Sequence, residues 1–186
     1  HGWGGSPQEP LLQWLKYELE MDGYKVMVPE MPETDTPTIK AWIGKLRKLI
    51  KPDSSTILVG HSIGSQAVLR YLEILTNGVK VAGVVLVAPW MELDMKTIEE
   101  EGEEVVEVAK PWMESPIDFP KVRTHIKKAV AIFSDDDPYV PLSNKILFEK
   151  KLNAKTIVEH QKGHFTISDG VKKLSSALKT IKEILN

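Results

Sequence analysis

A serine stands between two glycines in Gly60-His61-Ser62-Ile63-Gly64, where an apolar, β-favouring run (residues 56–59) gives way to hydrophobics at helical spacing from Gln66 onward. A hydroxyl at the tip of such a strand–turn–helix corner is lifted clear of the sheet, with the following amides aimed at whatever it attacks. The glycines relieve crowding at a tight turn whose central residue is held in a strained conformation. Ser62 therefore reads as a nucleophile.

A serine hydroxyl needs a base to take its proton, and histidine is matched to neutral pH. The chain has five histidines, at positions 1, 61, 125, 160 and 164. His61 would start on the wrong side of the corner. His160 falls in an expected strand, His125 in a charged segment that reads as surface, and His1 before a loop that it could order locally. His164 stands in Gln-Lys-Gly-His-Phe-Thr, a glycine-led loop after the last expected strand, overhanging the same sheet edge as Ser62. It is the expected base. The base in turn needs a carboxylate to hold its tautomer and stabilise the imidazolium. Asp135, Asp136 and Asp137 follow a strand pattern, and three carboxylates cannot all crowd one imidazole. Asp137 precedes Pro138, which restrains its backbone and the direction of its side chain. The other two are expected to be solvated or to cap the following turn. The order Ser62, Asp137, His164 is that of an acyl-transfer triad on an α/β sheet.

Attack on a carbonyl creates an oxyanion, which preorganised N–H donors stabilise. The amide after the serine, Ile63, is one expected donor. The Trp3 amide in the opening His-Gly-Trp-Gly-Gly is the second. Trp90, Trp112 and Tyr139 are the candidates to line a substrate pocket, with ordinary core packing the alternative for each. No Gly-x-x-x-x-Gly-Lys-[Ser/Thr] phosphate loop occurs. No His-x-x-x-His or similar spacing suggests a metal site. The reading calls for no metal and no cofactor.

These residues need a scaffold that brings them to one edge. Helical stripes run from Pro10 (Leu11, Trp14, Leu15, Leu19) and from Thr38 (Ile39, Trp42, Ile43, Leu46, Ile50). Strand patterns lie at 24–29, 56–60, 81–88, 128–134 and 155–160, with further helices at 65–75, 143–152 and 171–185. The run 81–88 shows no polar alternation and reads as a central parallel strand. Alternating strands and helices predict a three-layer α/β sandwich, a mostly parallel central sheet covered on both faces. Residues 1–186 read as one domain, with a further strand expected upstream of His1. Residues 91–122, acidic and proline-containing, are expected to form a lid or pocket wall, or else a solvated acidic helix.

Composition narrows the field. A net charge of −2 gives no reason to expect a nucleic-acid partner or an anionic membrane surface. With no cysteine, disulfides and thiolate catalysis are excluded, and the absence fits a reducing cytoplasm. No apolar stretch reaches the roughly 20 residues of a membrane span.

Taken in order, His1-Gly-Trp, the run from Met31 to Leu46, Gly-His-Ser-Ile-Gly, Arg70-Tyr-Leu-Glu, Val84-Val-Leu-Val-Ala-Pro-Trp, Asp136-Asp-Pro-Tyr-Val-Pro and Gly163-His-Phe resemble one group. That group is the small serine hydrolases of the α/β-hydrolase superfamily, of the retinoblastoma-binding protein nine and YdeN-like kind. The resemblance spans nearly the whole chain. It implies Ser62 as nucleophile, Asp137 and His164 as its partners, and a small ester or amide as substrate. The vertebrate group's Leu-x-Cys-x-Glu motif cannot exist in a chain without cysteine, so a retinoblastoma-protein partner is not implied. The alternative in another class is a non-catalytic ligand- or protein-binding module on the same scaffold.

Overall fold

The run Val81–Val87 forms strand β2, buried at every position, between β1 (Ile57–His61) and β3 (Ile126–Ser134) in a computed structural model that describes residues 1–185. β4 (Lys155–Glu159) pairs with the far side of β3, so the sheet runs β1-β2-β3-β4 with every neighbour parallel. The register sets His61 opposite Val87 and Val87 opposite Ile132. The strands therefore end nearly level, and the segments leaving them share one edge.

Eight helices accompany the sheet among the described residues: α1 (Pro10–Met21), α2 (Ile39–Leu49), α3 (Ile63–Glu73), α4 (Met95–Glu101), α5 (Glu103–Glu114), α6 (Phe119–Thr124), α7 (Ser143–Leu152) and α8 (Ser175–Leu185). Pro10 opens α1 where its missing N–H costs nothing, and Thr38 caps α2 by accepting the Ala41 N–H at 3.3 Å. Each crossover advances the sheet by one strand in the same direction. Right-handed connections then place α3, α6 and α7 on one face, where α6 packs on both others. α8 packs on β2 and β3, with α1 against it, covering the opposite face. The architecture is the expected α/β-hydrolase-type sandwich.

Details differ from the sequence reading. Residues 24–29 form no strand: 24–28 alternate between half-buried and exposed, but the backbone finds no ladder among the described residues. A β-favouring pattern supplies a face to bury and cannot supply a neighbour to pair with. The last helix starts at Ser175, not 171. The segment 91–122 holds α4, α5 and most of α6. Among the described residues no helix is long and apolar enough to cross a membrane.

Candidate active site

Ser62 sits between β1 and α3 with φ 53° and ψ −123°, a conformation a serine adopts only under constraint. The constraint is visible. The Ser62 N–H donates to the Val87 carbonyl at 2.8 Å, and its own carbonyl accepts from the Ser65 N–H at 2.9 Å. A Cβ on Gly60 would lie 2.6 Å from the Gly64 carbonyl oxygen, so strand and helix approach this closely only without a side chain there.

His164 reaches the serine from the loop after β4. Its Nε2 lies 2.8 Å from Ser62 Oγ, and its Nδ1 2.8 Å from Asp137 Oδ2. The Asp137 side chain is almost wholly buried, and its Oδ1 accepts the N–H groups of Tyr139 and Val140. A carboxylate so occupied accepts the Nδ1–H and leaves the Nε2 lone pair facing the hydroxyl. The Trp90 indole N–H points at Ser62 Oγ from 3.4 Å, which favours turning the hydroxyl proton toward His164.

The loop carrying His164 contains four described residues of positive φ, Gln161, Gly163, Phe165 and Gly170. Such a loop persists only if its surroundings over-determine it. The neighbouring aspartates do so. Asp135 accepts the Gln161 N–H at 3.0 Å, Asp136 accepts the Gly163 N–H at 2.8 Å, and Asp169 accepts the N–H groups of His164 and Thr166. Asp135 and Asp136 are exposed, as expected, but rather than capping their own turn their carboxylates pin the loop that carries His164. Those hydrogen bonds hold both carboxyls below the ordinary range, Asp135 through Gln161 and His160, Asp136 through Ser134 and Gly163.

The opening residues lie across the corner. The Gly4 N–H donates to the Thr34 carbonyl, and the His1 Nε2 accepts the Met31 N–H at 2.9 Å. Three indoles then fasten the 31–37 loop by its carbonyls: Trp42 on Pro32, Trp3 on Asp35 and Trp112 on Pro37, all at 2.8–2.9 Å. Among the described residues the main-chain N–H groups of Trp3 and Ile63 find no acceptor.

A family model described as serine hydrolase matches residues 1–183. The chain belongs to the serine hydrolase family. This serine hydrolase is 27% identical to the YdeN protein of Bacillus subtilis over 175 residues, covering 94% of this chain and 87% of YdeN. It is 26% identical to serine hydrolase RBBP9 of Rattus norvegicus, covering 89% of this chain and 78% of the rat protein. The crystal structure of the B. subtilis ydeN gene product superposes with a TM-score of 0.89 at 25% identity, covering 99% of this chain and 95% of that one.

Beside Ser62, this serine hydrolase has a cavity of about 430 Å³. Trp3, Trp90 and Tyr139 line it, together with Leu93, Ile98, Val105 and Val108 from the segment 91–122. Trp112 does not. It is fully buried behind the wall, edge-on to Trp42 at 5.9 Å, because its indole N–H is committed to Pro37. The wall is tied to the serine's helix by Arg70, which donates to the carbonyls of Trp112 and Ser115 and to Gln66 Oε1. Gln66 in turn holds the Trp90 carbonyl. Among the described residues no group of three or more histidines and carboxylates could hold a metal ion.

Two other histidines of the serine hydrolase fall elsewhere than expected. His125 is fully buried, not on the surface, because its Nδ1–H donates to the Val79 carbonyl at 2.8 Å. His160 lies past the end of β4, exposed, paired with Asp135. His61 is buried against the site. Burial, and then repulsion from His164, push its pKa down to about 3, so it is neutral. Roles for Asp135, Asp136 and Asp169 went unread because each depends on a backbone N–H distant in the chain or across a turn.

Proposed function

We propose that this serine hydrolase cleaves small carboxylic esters, and amides of similar size, through an acyl-enzyme on Ser62. The observation that carries the reading is the unbroken path from Ser62 Oγ through His164 to the buried Asp137, 2.8 Å at each contact. Ser62 Oγ attacks the substrate carbonyl while His164 Nε2 takes its proton, and Asp137 stabilises the imidazolium. The unengaged amides of Trp3 and Ile63 receive the oxyanion, each donor contributing roughly 3–4 kcal/mol. His164 returns the proton to the leaving oxygen or nitrogen, then activates the water that frees the acid. Residues 1–186 act as one catalytic domain, with 91–122 as the pocket wall.

The cavity accommodates a small organic acyl group, and its apolar lining favours an unbranched or aromatic one. Glu9, Asp35, Glu101 and Glu104 are also in its lining, without a lysine or arginine among the described residues. Anionic esters are therefore disfavoured, less so at high salt.

The test is a series of p-nitrophenyl esters of increasing chain length, with a succinate half-ester as the anionic member, run beside Ser62→Ala. Turnover of neutral esters, lost in Ser62→Ala together with labelling by a fluorophosphonate, is the expected result. A wild-type protein that resists the probe and cleaves none of the esters would falsify the proposal and leave a binding module on a hydrolase scaffold.

A further inference from the structure

We infer that His61 is a positioning residue that sets the reach of His164 through the His164 main chain. This deepens the proposed function and rests on it. The His61 Nε2 lies 2.8 Å from the His164 carbonyl oxygen, and a carbonyl only accepts, so His61 carries its proton on Nε2. His61 is the residue immediately before Ser62. Its side chain therefore closes a ring that runs from the serine backbone through one imidazole to the His164 carbonyl, then through the second imidazole back to Ser62 Oγ.

The ring does what the other anchors of the loop cannot. Asp135 and Asp136 belong to the segment after β3, and Asp169 to the histidine's own loop. They fix the loop's shape and its height above β3 and β4. Only the His61 bond, among these contacts, ties the loop to the strand that ends at the nucleophile. The loop holds non-glycine residues at positive φ on both sides of His164, Gln161 and Phe165, so it has no conformation of its own to fall back on. An error of an ångström between Oγ and Nε2 is enough to cost about 100-fold in rate.

His61 is also placed to sense the third part of the site. Its Nδ1 is buried with no hydrogen-bond partner among the described residues, and a Cβ on Gly2 would lie 3.2 Å from it. The imidazole thus packs between the Gly2 main chain, next to Trp3, and the His164 ring, whose centroid is 5.2 Å away. One side chain abuts the elbow, the opening loop and the base.

The experiment compares His61→Met, which fills similar space without a donor, with His61→Gln, whose amide nitrogen can reach the same carbonyl. On a p-nitrophenyl ester, His61→Met should lose 10- to 100-fold in kcat with little change in KM, and its low-field proton resonance for the His164–Asp137 bond should broaden or vanish. His61→Gln should restore most of both. A Met variant with wild-type kcat and resonance, or a Gln variant as impaired as Met, overturns the inference. Long-range ¹H–¹⁵N spectra of the wild-type protein add a test that needs no variant: His61 should be the Nε2–H tautomer from pH 5 to 9, and an Nδ1–H tautomer overturns it. Because the spectra do not depend on turnover, a protein without esterase activity would sink the proposed function while the spectra still decide whether the His61 bond exists.

Discussion

The second glycine of the elbow, Gly64, is also the floor on which His1 rests: a Cβ there would stand 2.6 Å from the His1 carbonyl oxygen. Main chain against main chain leaves no flexible atom to give way. The helix that begins after Ser62 and the loop that carries Trp3 are thus fitted to one another through an absent side chain.

Gly64→Ala should therefore displace the opening loop. Stability should fall by about 1–3 kcal/mol through overpacking, and kcat by a factor of up to about 100–1,000 if the Trp3 donor is withdrawn. Gly44→Ala is the matched control, since among the described residues nothing outside its own helical turn lies within 4 Å of a Cβ there and α2 is an ordinary helix. It should gain roughly 0.5–1 kcal/mol and leave kcat unchanged. Urea unfolding and ester kinetics on the two variants decide the matter; equal behaviour would refute the close-approach argument.

Acid should destabilise the protein earlier than carboxylates alone would allow. His61 has a folded pKa of about 3, depressed from an unfolded value near ~6.5. The unfolded chain then binds more protons between those values, so this contribution is complete above about pH 6.5 and is lost as pH falls toward 3. Asp135 and Asp136 are also depressed, so their share is complete above about pH 4 and is lost as pH falls below it. His160, raised by its bond to Asp135, has the opposite sign: its share is lost as pH rises past its folded value. Being exposed, it contributes little. Unfolding free energies measured from pH 8 to 4.5 should decline in the wild type and decline less in His61→Gln. A wild-type profile that stays flat down to pH 5 would remove the basis for a neutral, buried His61.

Val105, on α5, lines the cavity wall and is half-buried. Val105→Phe should shorten the preferred acyl chain, lowering kcat/KM for long esters about 10-fold or more while sparing acetate, in line with about 1–3 kcal/mol per methylene excluded. The chain-length series measures this directly. An unchanged optimum would mean that α5 does not bound the acyl group.

Much of this design is legible along the chain. Gly60 to Gly64 lies between a β-favouring run and a helical stripe, and local crowding alone calls for glycine on either side of Ser62. Asp137 before proline, and His164 behind glycine after the last strand, follow from where strands must end. The run 81–87 reads as central because it lacks polar alternation, and it is buried throughout. Residues 24–29 show the limit of that logic, since alternation describes a face, while a strand also needs a backbone beside it.

Residue order along the chain suffices for most of the element types, for the elbow and for nominating Ser62, Asp137 and His164, because periodicity, turn sterics and proline restraint act over a few neighbouring residues. Folding in three dimensions assigns what Asp135, Asp136, Asp169 and His61 do, and sets Trp112 behind the cavity wall while Trp90 faces Ser62. Each of those roles is a hydrogen bond to a group that carries no residue-type signature, mostly a main-chain N–H or C=O. Such partners are identical at every position and become specific only when folding places one of them within about 3 Å.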